Sequence, residues 1–185
     1  ATGLSLFSET LDLHTPARSS VSHMAMLYAE LEKLLDAGWN QQSGKTQVAQ
    51  SLHLIAEAMP KRSLAIIFSD MFEDTADIEH FFSALQHLKH NKHEVILFHV
   101  TDASKELAFN FENRPYRFID LESREEIRLQ ASEVKEHYLQ KMDAYLKDLK
   151  LRCGQYKIDF IEADIQAGYQ QVLLPYLLKR TRMGA

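Results

Sequence analysis

The sequence predicts an α/β fold with a mainly parallel sheet and helices on both faces of that sheet. Leu64–Phe68 is a continuous apolar run, typical of a strand buried on both faces of a parallel sheet, and the mainly apolar run Glu94–Val100 is predicted as a second buried strand. An amphipathic helix separates the runs, and a strand, a helix and a strand within about 40 residues form a right-handed βαβ unit. Since no linker, repeat or low-complexity segment divides the sequence, we expect one domain over residues 1–185.

The first third of the chain predicts a hairpin followed by two helices. Extended runs at Gly3–Phe7 and Leu11–His14 form the hairpin, and Pro16 closes the second run because proline cannot donate to a strand ladder. Ser20 is a predicted helix N-cap, and Gly38 a predicted helix end. The apolar stripe of this helix is Met24, Leu27, Tyr28, Leu31, Leu34 and Leu35. The second helix has Val48, Leu52, Ile55 and Met59 on one face and stops at Pro60.

The helix between the two apolar runs is predicted from the spacing of its apolar positions. These positions are Ile78, Phe81, Phe82, Leu85 and Leu88. After the second run, Leu107–Phe111 and Tyr116–Ile119 are predicted as two short strands.

The last third of the chain predicts the longest helix, a strand and a final helix. Ser123 and Glu126 form a capping box, which predicts that the long helix begins there. Its inner stripe is Ile127, Ala131, Val134, Tyr138, Met142, Tyr145 and Leu149. Lys157–Ile161 predicts the strand, and Pro175 either kinks the final helix or marks a later start for it.

Charge and composition limit the function classes. The 185 residues include 21 Lys and Arg against 26 Asp and Glu, a formal net charge of −5, which argues against nucleic-acid binding. A mean hydropathy of −0.29, with no apolar run of about 18 residues, argues against a membrane-spanning helix. A single cysteine, Cys153, excludes an internal disulfide and fits a reducing compartment, so we expect a cytoplasmic protein.

Three patterns resemble functional motifs, but their surroundings favour structural roles. Gly44-Lys45-Thr46 follows a predicted helix instead of a strand, and Trp39 stands where a phosphate-binding loop has its first glycine. His87 and His90 could share a helix face, but a zinc site needs three or four close ligands, so a solvated face is the preferred interpretation. Cys153 is predicted to be a buried packing residue, because a helix C-terminus does not activate a thiol.

The strongest candidate for ligand binding is Ser69-Asp70, at the carboxyl end of the first apolar run. In open α/β sheets, ligands bind in the crevice outside the carboxyl ends of the strands. Asp70, Ser69 and a loop threonine would offer the oxygen ligands that Mg²⁺ prefers. Alternatively, Asp70 caps the helix or turn that follows.

Several segments, in the same order along nearly the whole chain, resemble a bacterial family. The most specific segment is Lys61–Met71, which contains the apolar run and the Ser-Asp pair. The weaker segments are Gly3–Ser8, Gly44–Thr46, His93–Val95, Val100–Glu106 and Phe118–Glu122. The sequence resembles domain-of-unknown-function family fifty-eight, a von Willebrand factor A-like group.

This resemblance implies a Rossmann-like, doubly wound sheet with a metal-ion-dependent adhesion site at its carboxyl edge. In von Willebrand A domains, that site combines a D-x-S-x-S motif, a threonine from a second loop and an aspartate from a third. Thr46 and Asp70 match the threonine and the aspartate, and Ser69 is adjacent to Asp70. D-x-S-x-S does not occur in these residues. We therefore expect an N-terminally truncated domain with an incomplete metal site and no cofactor, and Mg²⁺ binding only in a full-length protein.

The resemblance also implies a non-enzymatic protein-interaction module, an adaptor that works with a MoxR-type AAA+ ATPase. A missing strand would leave unpaired strand edges and favour homo-oligomers. The alternative is a Mg-dependent enzyme that handles a small molecule or a phosphate on a Rossmann-like sheet. Its candidate groups are Asp70, Asp102, Asp164 and His99, although the three carboxylates would serve equally well as helix and turn caps.

Overall fold

A computed structural model describes residues 1–7, 11–35, 48–71, 75–119 and 126–183. Within these residues the protein has mixed α/β structure, with one parallel three-stranded sheet and two antiparallel two-stranded sheets. The predicted α/β class and parallel sheet are therefore confirmed. The chain forms two compact units: residues 1–63, 73–93 and 120–124 in the first, and residues 64–72, 94–119 and 125–185 in the second. The expectation of one domain over 1–185 stays a prediction.

Some predicted features lie outside the described residues. They are the helix end at Gly38, the Gly44-Lys45-Thr46 segment with the candidate ligand Thr46, and Ser123 of the capping box. In the described ranges, no helix is both long enough and apolar enough to cross a membrane.

The first unit begins with the predicted hairpin. Strand β1 (Ser5–Phe7) pairs antiparallel with β2 (Leu11–His14). Ser5 lies opposite His14, and the Ser5 Oγ and His14 Nδ1 atoms are 3.0 Å apart. The hairpin is thus confirmed by both its backbone pairing and a cross-strand side-chain hydrogen bond.

Helix α1 (Val21–Lys33) begins where the sequence predicts. The Ser20 hydroxyl accepts a hydrogen bond from the backbone N–H of His23 at 3.2 Å, which confirms the N-cap. The predicted stripe of α1 is only partly buried, however: Leu27 is buried, whereas Leu35 is 86% exposed. Spacing alone therefore overestimated the buried face of this helix.

Helices α2 (Val48–Ala58) and α3 (Thr75–His90) pack against each other. The side-chain amide of Asn91 donates to the Ala56 carbonyl at 3.1 Å, so the C-terminal ends of the two helices lie together. Their predicted apolar stripes are buried except at Met59, which is half-buried and follows the end of α2. The buried side chains are Val48, Leu52 and Ile55 of α2 and Ile78, Phe81, Phe82, Leu85 and Leu88 of α3.

The second unit contains the parallel sheet. Its strand order is β3 (Leu64–Ser69), β4 (Glu94–Thr101) and β7 (Asp159–Asp164), with β4 in the centre. Ser69 lies opposite His99 in the register of β3 and β4. All three strands run in the same direction, so their carboxyl ends form one edge.

The two apolar runs differ in burial, although the sequence predicts that both are buried on two faces. The prediction holds for β4, whose residues 95–99 are all buried. It is wrong for β3, where Ala65 and Ile67 are buried but the other face is open. The residues of that open face are Leu64, Ile66 and Phe68, at 40%, 48% and 60% exposure. The cause is strand order, because β3 is the edge strand and its neighbour β4 is central.

Helices α4 (Ala131–Gln155) and α5 (Tyr169–Met183) both contact β7. From α5, Val172 and Tyr176 pack against a buried cluster of the sheet. The buried members of that cluster are Ile96, Phe98 and Ala163. Pro175 lies within α5, so it does not mark a later helix start.

Two local predictions are corrected between β4 and α4. Leu107–Phe111 is not a strand, because Ala103–Leu107 forms a single π-helical turn capped by Asp102. Glu126 does not open the long helix, because Glu126–Gln130 is strand β6, paired antiparallel with β5 (Pro115–Ile119). Backbone hydrogen bonds to β5 keep these five residues extended, and α4 begins only at residue 131.

Candidate functional site at the carboxyl edge of the parallel sheet

The carboxyl edge of the sheet collects the polar residues that the sequence singled out. β3 ends in Ser69 and is followed by Asp70, while the neighbouring strand holds His99 beside its end. In the register of β4 and β7, Thr101 lies opposite Asp164. The structure therefore places Asp70, His99, Asp102 and Asp164 at the ends of adjacent strands. Thr46 is outside the described residues.

Two of these carboxylates hold backbone turns together. The Asp102 side chain accepts a hydrogen bond from the backbone N–H of Ser104 at 3.0 Å. One oxygen of Asp164 accepts from the backbone N–H groups of Ala103 at 3.2 Å and of Gln166 at 3.1 Å. These contacts confirm the capping interpretation for Asp102 and Asp164. Both carboxylates thereby fix the loop that follows β4.

The Ser69-Asp70-Met71 turn is fixed from both sides. Ser69 Oγ accepts a hydrogen bond from the backbone N–H of Met71 at 3.1 Å, and Met71 is buried with a φ of 59°. The hydroxyl of Tyr145 donates to the Met71 carbonyl. Between these anchors Asp70 is exposed, and its carboxylate makes no hydrogen bond or ion pair with any described residue. The turn thus fixes the position of Asp70 without using its carboxylate as a hydrogen-bond acceptor.

His99 is a buried histidine with one unsatisfied ring nitrogen. Its side chain is 1% exposed, and Nε2 lies 3.0 Å from the Asp70 carbonyl oxygen. Because a carbonyl only accepts, Nε2 carries the proton, and Nδ1 is left as an acceptor. Among the described residues, Nδ1 is buried without a hydrogen-bond partner. Burial lowers the pKa of His99, although the Asp70 carbonyl and nearby carboxylates oppose this, so the ring is neutral at pH 7.

Glu106 belongs to this edge, although the sequence analysis gave it no role. Its Oε2 accepts a hydrogen bond from the backbone N–H of Asp102 at 3.1 Å. Burial raises the pKa of Glu106, and the negative charges of Asp102 and Asp70 raise it further. Glu106 could have been found from the sequence, because it ends the segment Val100–Glu106 that resembles the family and stands four residues after Asp102.

The edge does not form a complete metal site within the described residues. No group of three His, Cys, Asp or Glu side chains in that part of the chain is arranged to hold a metal ion. The carboxylates of Asp102 and Asp164 accept hydrogen bonds from backbone N–H groups. Of the three aspartates, only Asp70 has a carboxylate without a hydrogen-bond partner among the described residues. A single carboxylate is a poor fit to a divalent cation that needs several oxygen ligands.

Comparison with known families identifies the chain. A family model described as "Protein of unknown function DUF58" matches residues 1–145. The chain belongs to this DUF58 family. Neither the curated proteins nor the solved structures gave a match. The region that matches DUF58 contains Asp70, His99 and Glu106, whereas Asp164 follows it.

Two other sequence candidates in the DUF58 chain have packing roles. Cys153 is buried, and burial raises the pKa of its thiol to about 12, which confirms the predicted packing cysteine. His87 faces α2, where its Nδ1 lies 3.0 Å from Nδ1 of His53. The side chain of His87 on α3 therefore contacts α2.

Proposed function

We propose that this DUF58 chain is a non-enzymatic protein-interaction module that works with a MoxR-type AAA+ ATPase. The observation that carries the proposal is the open edge strand β3. Among the described residues only β4 pairs with β3, and the apolar row Leu64, Ile66 and Phe68 is exposed beside it. A partner segment can extend such a sheet through main-chain hydrogen bonds and cover the row with its own side chains.

Family membership supports the choice of partner. The resemblance to von Willebrand A-like adaptors implies the ATPase and a doubly wound sheet around β3, and the single cysteine, Cys153, fits a cytoplasmic location. The resemblance also implies that Mg²⁺ belongs to a full-length protein, since Asp70 provides only one free carboxylate here.

The chemistry of the carboxyl edge is consistent with a role outside catalysis. Asp102 and Asp164 use their carboxylates as backbone caps. Cys153 is buried, with its thiol pKa near 12, so it offers no thiolate nucleophile at pH 7. Asp70 is exposed at this edge, and no described residue engages its carboxylate, which suits recognition of a cationic group on a partner.

The exposed row is large enough to affect affinity. Burying a Leu, Ile or Phe side chain completely contributes about 1.5–3 kcal/mol, and roughly half of each side chain in the row is still exposed. A partner that covers the row therefore gains about 1 kcal/mol per residue, or about 3 kcal/mol in all. That corresponds to about a hundredfold in affinity, before the costs of association.

The test is binding of a MoxR-type AAA+ ATPase from the same organism to three forms of the chain. Ile66→Lys places a charge in the centre of the row and is expected to weaken binding at least about tenfold. The matched control is Leu151→Lys on α4, where the replaced side chain is 61% exposed and lies outside the row. Wild type and the control should bind equally. Equal binding by all three forms, or no binding by the wild type, would refute the proposal.

The same edge supports a homo-oligomer as a second, separable proposal. If two copies of β3 pair antiparallel with Ile66 opposite Ile66, then Leu64 of each copy lies opposite Phe68 of the other on the same face. Light scattering should then give a concentration-dependent dimer for the wild type and a monomer for Ile66→Lys. A wild type that stays monomeric at high concentration contradicts the oligomer and leaves the ATPase proposal intact.

A Mg-dependent enzyme acting on a small molecule or a phosphate is the second candidate function. The observation that favours it is the unsatisfied Nδ1 of buried His99. The other ring nitrogen of His99 contacts the carbonyl oxygen of Asp70. A phosphatase and nucleotidase panel with Mg²⁺ tests it. Activity that Asp70→Ala abolishes would support the enzyme over the interaction module.

A further inference from the structure

A cavity in the first unit is lined by basic and polar residues. Its volume is about 480 Å³, and its lining residues are Lys61, Arg62, His90, Asn91 and Lys92. Three of these five side chains are permanently cationic at pH 7, and no carboxylate is among them. This cluster is unusual in a chain whose formal net charge is −5.

The cavity is built on two turns that hydrogen bonds hold together. The backbone N–H of Ser63 donates to Nδ1 of His93 at 3.1 Å, and His93 is 2% exposed. The Asn91 amide donates to the Ala56 carbonyl at 3.1 Å. One turn precedes β3 and the other precedes β4, so these bonds fix the relative positions of the cations that each turn carries.

The backbone at two of the cations is in the left-handed region. Arg62 and Lys92 both have a φ of 63°, a conformation in which non-glycine residues are uncommon. Each ends the turn between a helix and a strand. The chain keeps a long cationic side chain at both positions, where glycine would be less strained.

The cations of the cavity are not neutralised by nearby carboxylates. Elsewhere in the described residues, Lys33 pairs with Glu30 at 2.7 Å and Lys150 with Glu162 at 2.9 Å. The cationic groups of the cavity form no ion pair with a described residue. No described carboxylate therefore competes with a bound anion for these three cations.

A simpler explanation is that these cations stabilise the C-terminal ends of α2 and α3. The last turn of α3 already supplies a cation there in Lys89, which does not line the cavity. Dipole compensation also does not require the side chains of two separate turns to converge on one cavity. The two explanations differ in what they predict for anion binding.

We propose that this cavity binds a phosphate-type oxyanion that belongs to a small phosphorylated molecule or to a lipid headgroup. A phosphate group carries about two negative charges and three acceptor oxygens, and pyrophosphate carries more of both, whereas one carboxylate carries a single charge and two oxygens. Arg62 can offer a planar pair of donors, and Lys61 and Lys92 act as point charges. The volume also leaves room for the non-phosphate part of a small ligand.

Titration calorimetry of the 185-residue chain with pyrophosphate, at constant ionic strength, tests this proposal. The double variant Lys61→Gln with Lys92→Gln removes two charges from the cavity. Its matched control, Lys135→Gln with Lys141→Gln, removes two charges from α4. We expect saturable binding by wild type and control, and binding at least about tenfold weaker for the cavity variant.

Two results would overturn the proposal. The first is the absence of saturable binding by the wild type, especially if urea unfolding shows the cavity variant to be destabilised, as dipole compensation predicts. The second is equal weakening by both double variants, which indicates a general charge effect.

Flotation with phosphatidylcholine vesicles, with and without phosphatidic acid, identifies the source of the phosphate. Capture that depends on phosphatidic acid and is lost only in the cavity variant assigns a lipid headgroup. Pyrophosphate binding without capture assigns a soluble phosphorylated molecule. Equal capture of both double variants contradicts a specific site.

Discussion

Replacing His99 with leucine tests two effects of burying this imidazole: its effect on the free energy of unfolding near pH 8, and its effect on how that free energy depends on pH. In the native protein Nε2 donates to the Asp70 carbonyl at 3.0 Å, while Nδ1 is buried without a partner in the described residues. Losing the hydrogen bond costs about 0.5–1.5 kcal/mol, and removing an unsatisfied buried acceptor returns about 1–3 kcal/mol. The free energy of unfolding at about pH 8 should therefore change by between a loss of about 0.5 kcal/mol and a gain of about 2.5 kcal/mol, with a gain expected.

The larger effect of His99→Leu is expected in acid. Burial lowers the pKa of His99 in the native state, while the unfolded chain keeps a value near 6.5. Below pH 6.5 the unfolded state binds a proton on His99 that the native state does not bind. The contribution of His99 to the free energy of unfolding is therefore fully present above pH 6.5, and it is lost as the pH falls towards the lower pKa of the native state. One such histidine changes the free energy of unfolding by up to about 1.4 kcal/mol per pH unit. The pKa of His93 is also lowered by burial, so the wild type has two such groups.

Urea unfolding followed by circular dichroism, from about pH 5 to about pH 8, measures both effects. The slope of stability against pH below 6.5 should be shallower in His99→Leu by up to about 1.4 kcal/mol per pH unit, because only His93 then contributes. His137→Gln, on the exposed surface of α4, is the control and should keep the wild-type slope. The reasoning is refuted if His99→Leu keeps that slope, or if it loses more than about 3 kcal/mol at pH 8.

Three further predictions concern packing and capping. The native thiol of Cys153 should react slowly with a disulfide reagent at about pH 8 and fully in urea, because burial raises its pKa to about 12; rapid native reaction would contradict this. Asp164→Ala should lower the free energy of unfolding by about 1 kcal/mol, since two backbone donors lose their acceptor, and unchanged urea unfolding would refute the capping role. Phe81→Ala should cost about 3–5 kcal/mol and exposed Tyr28→Ala about 0.5 kcal/mol or less; similar costs would show that the burial assignment is wrong.

The elements that the sequence predicted well each depend on one local pattern. In α3, the apolar positions repeat at helical spacing, and the structure buries all of them. Ser20 is followed directly by a helix that its hydroxyl caps. Such features involve neighbours within a few residues, so knowledge of the rest of the fold is not needed.

The errors occurred where distant residues decide the conformation. Leu64–Phe68 is as apolar as β4, and only its position at the edge of the sheet leaves one face exposed. Glu126 fits a capping box, but pairing with β5 keeps it extended. Strand order and pairing partners involve residues far apart in sequence, and local patterns do not contain that information.

The candidate site was predicted only in part for the same reason. Asp70 could be found from sequence because it follows an apolar run directly. The unsatisfied Nδ1 of His99 is visible only once Nε2 is known to meet the Asp70 carbonyl. Glu106 joins the site because the π-helical turn Ala103–Leu107 brings its carboxylate back to the backbone of Asp102.

The position of Asp70 directly after β3 links the two parts of the proposed interface. The exposed apolar row and the exposed carboxylate belong to one strand and the residue that follows it, so a segment that pairs along β3 also reaches Asp70. The row is non-directional and contributes affinity, whereas a single charge contributes orientation and partner choice. A partner strand can pair with β3 in a parallel or an antiparallel direction, and the apolar row alone does not favour either. A cation at one end of the partner segment favours one direction, since only that direction places the cation beside Asp70. In the proposed interface, the edge of β3 supplies affinity and the Asp70 carboxylate sets the direction in which the partner segment runs.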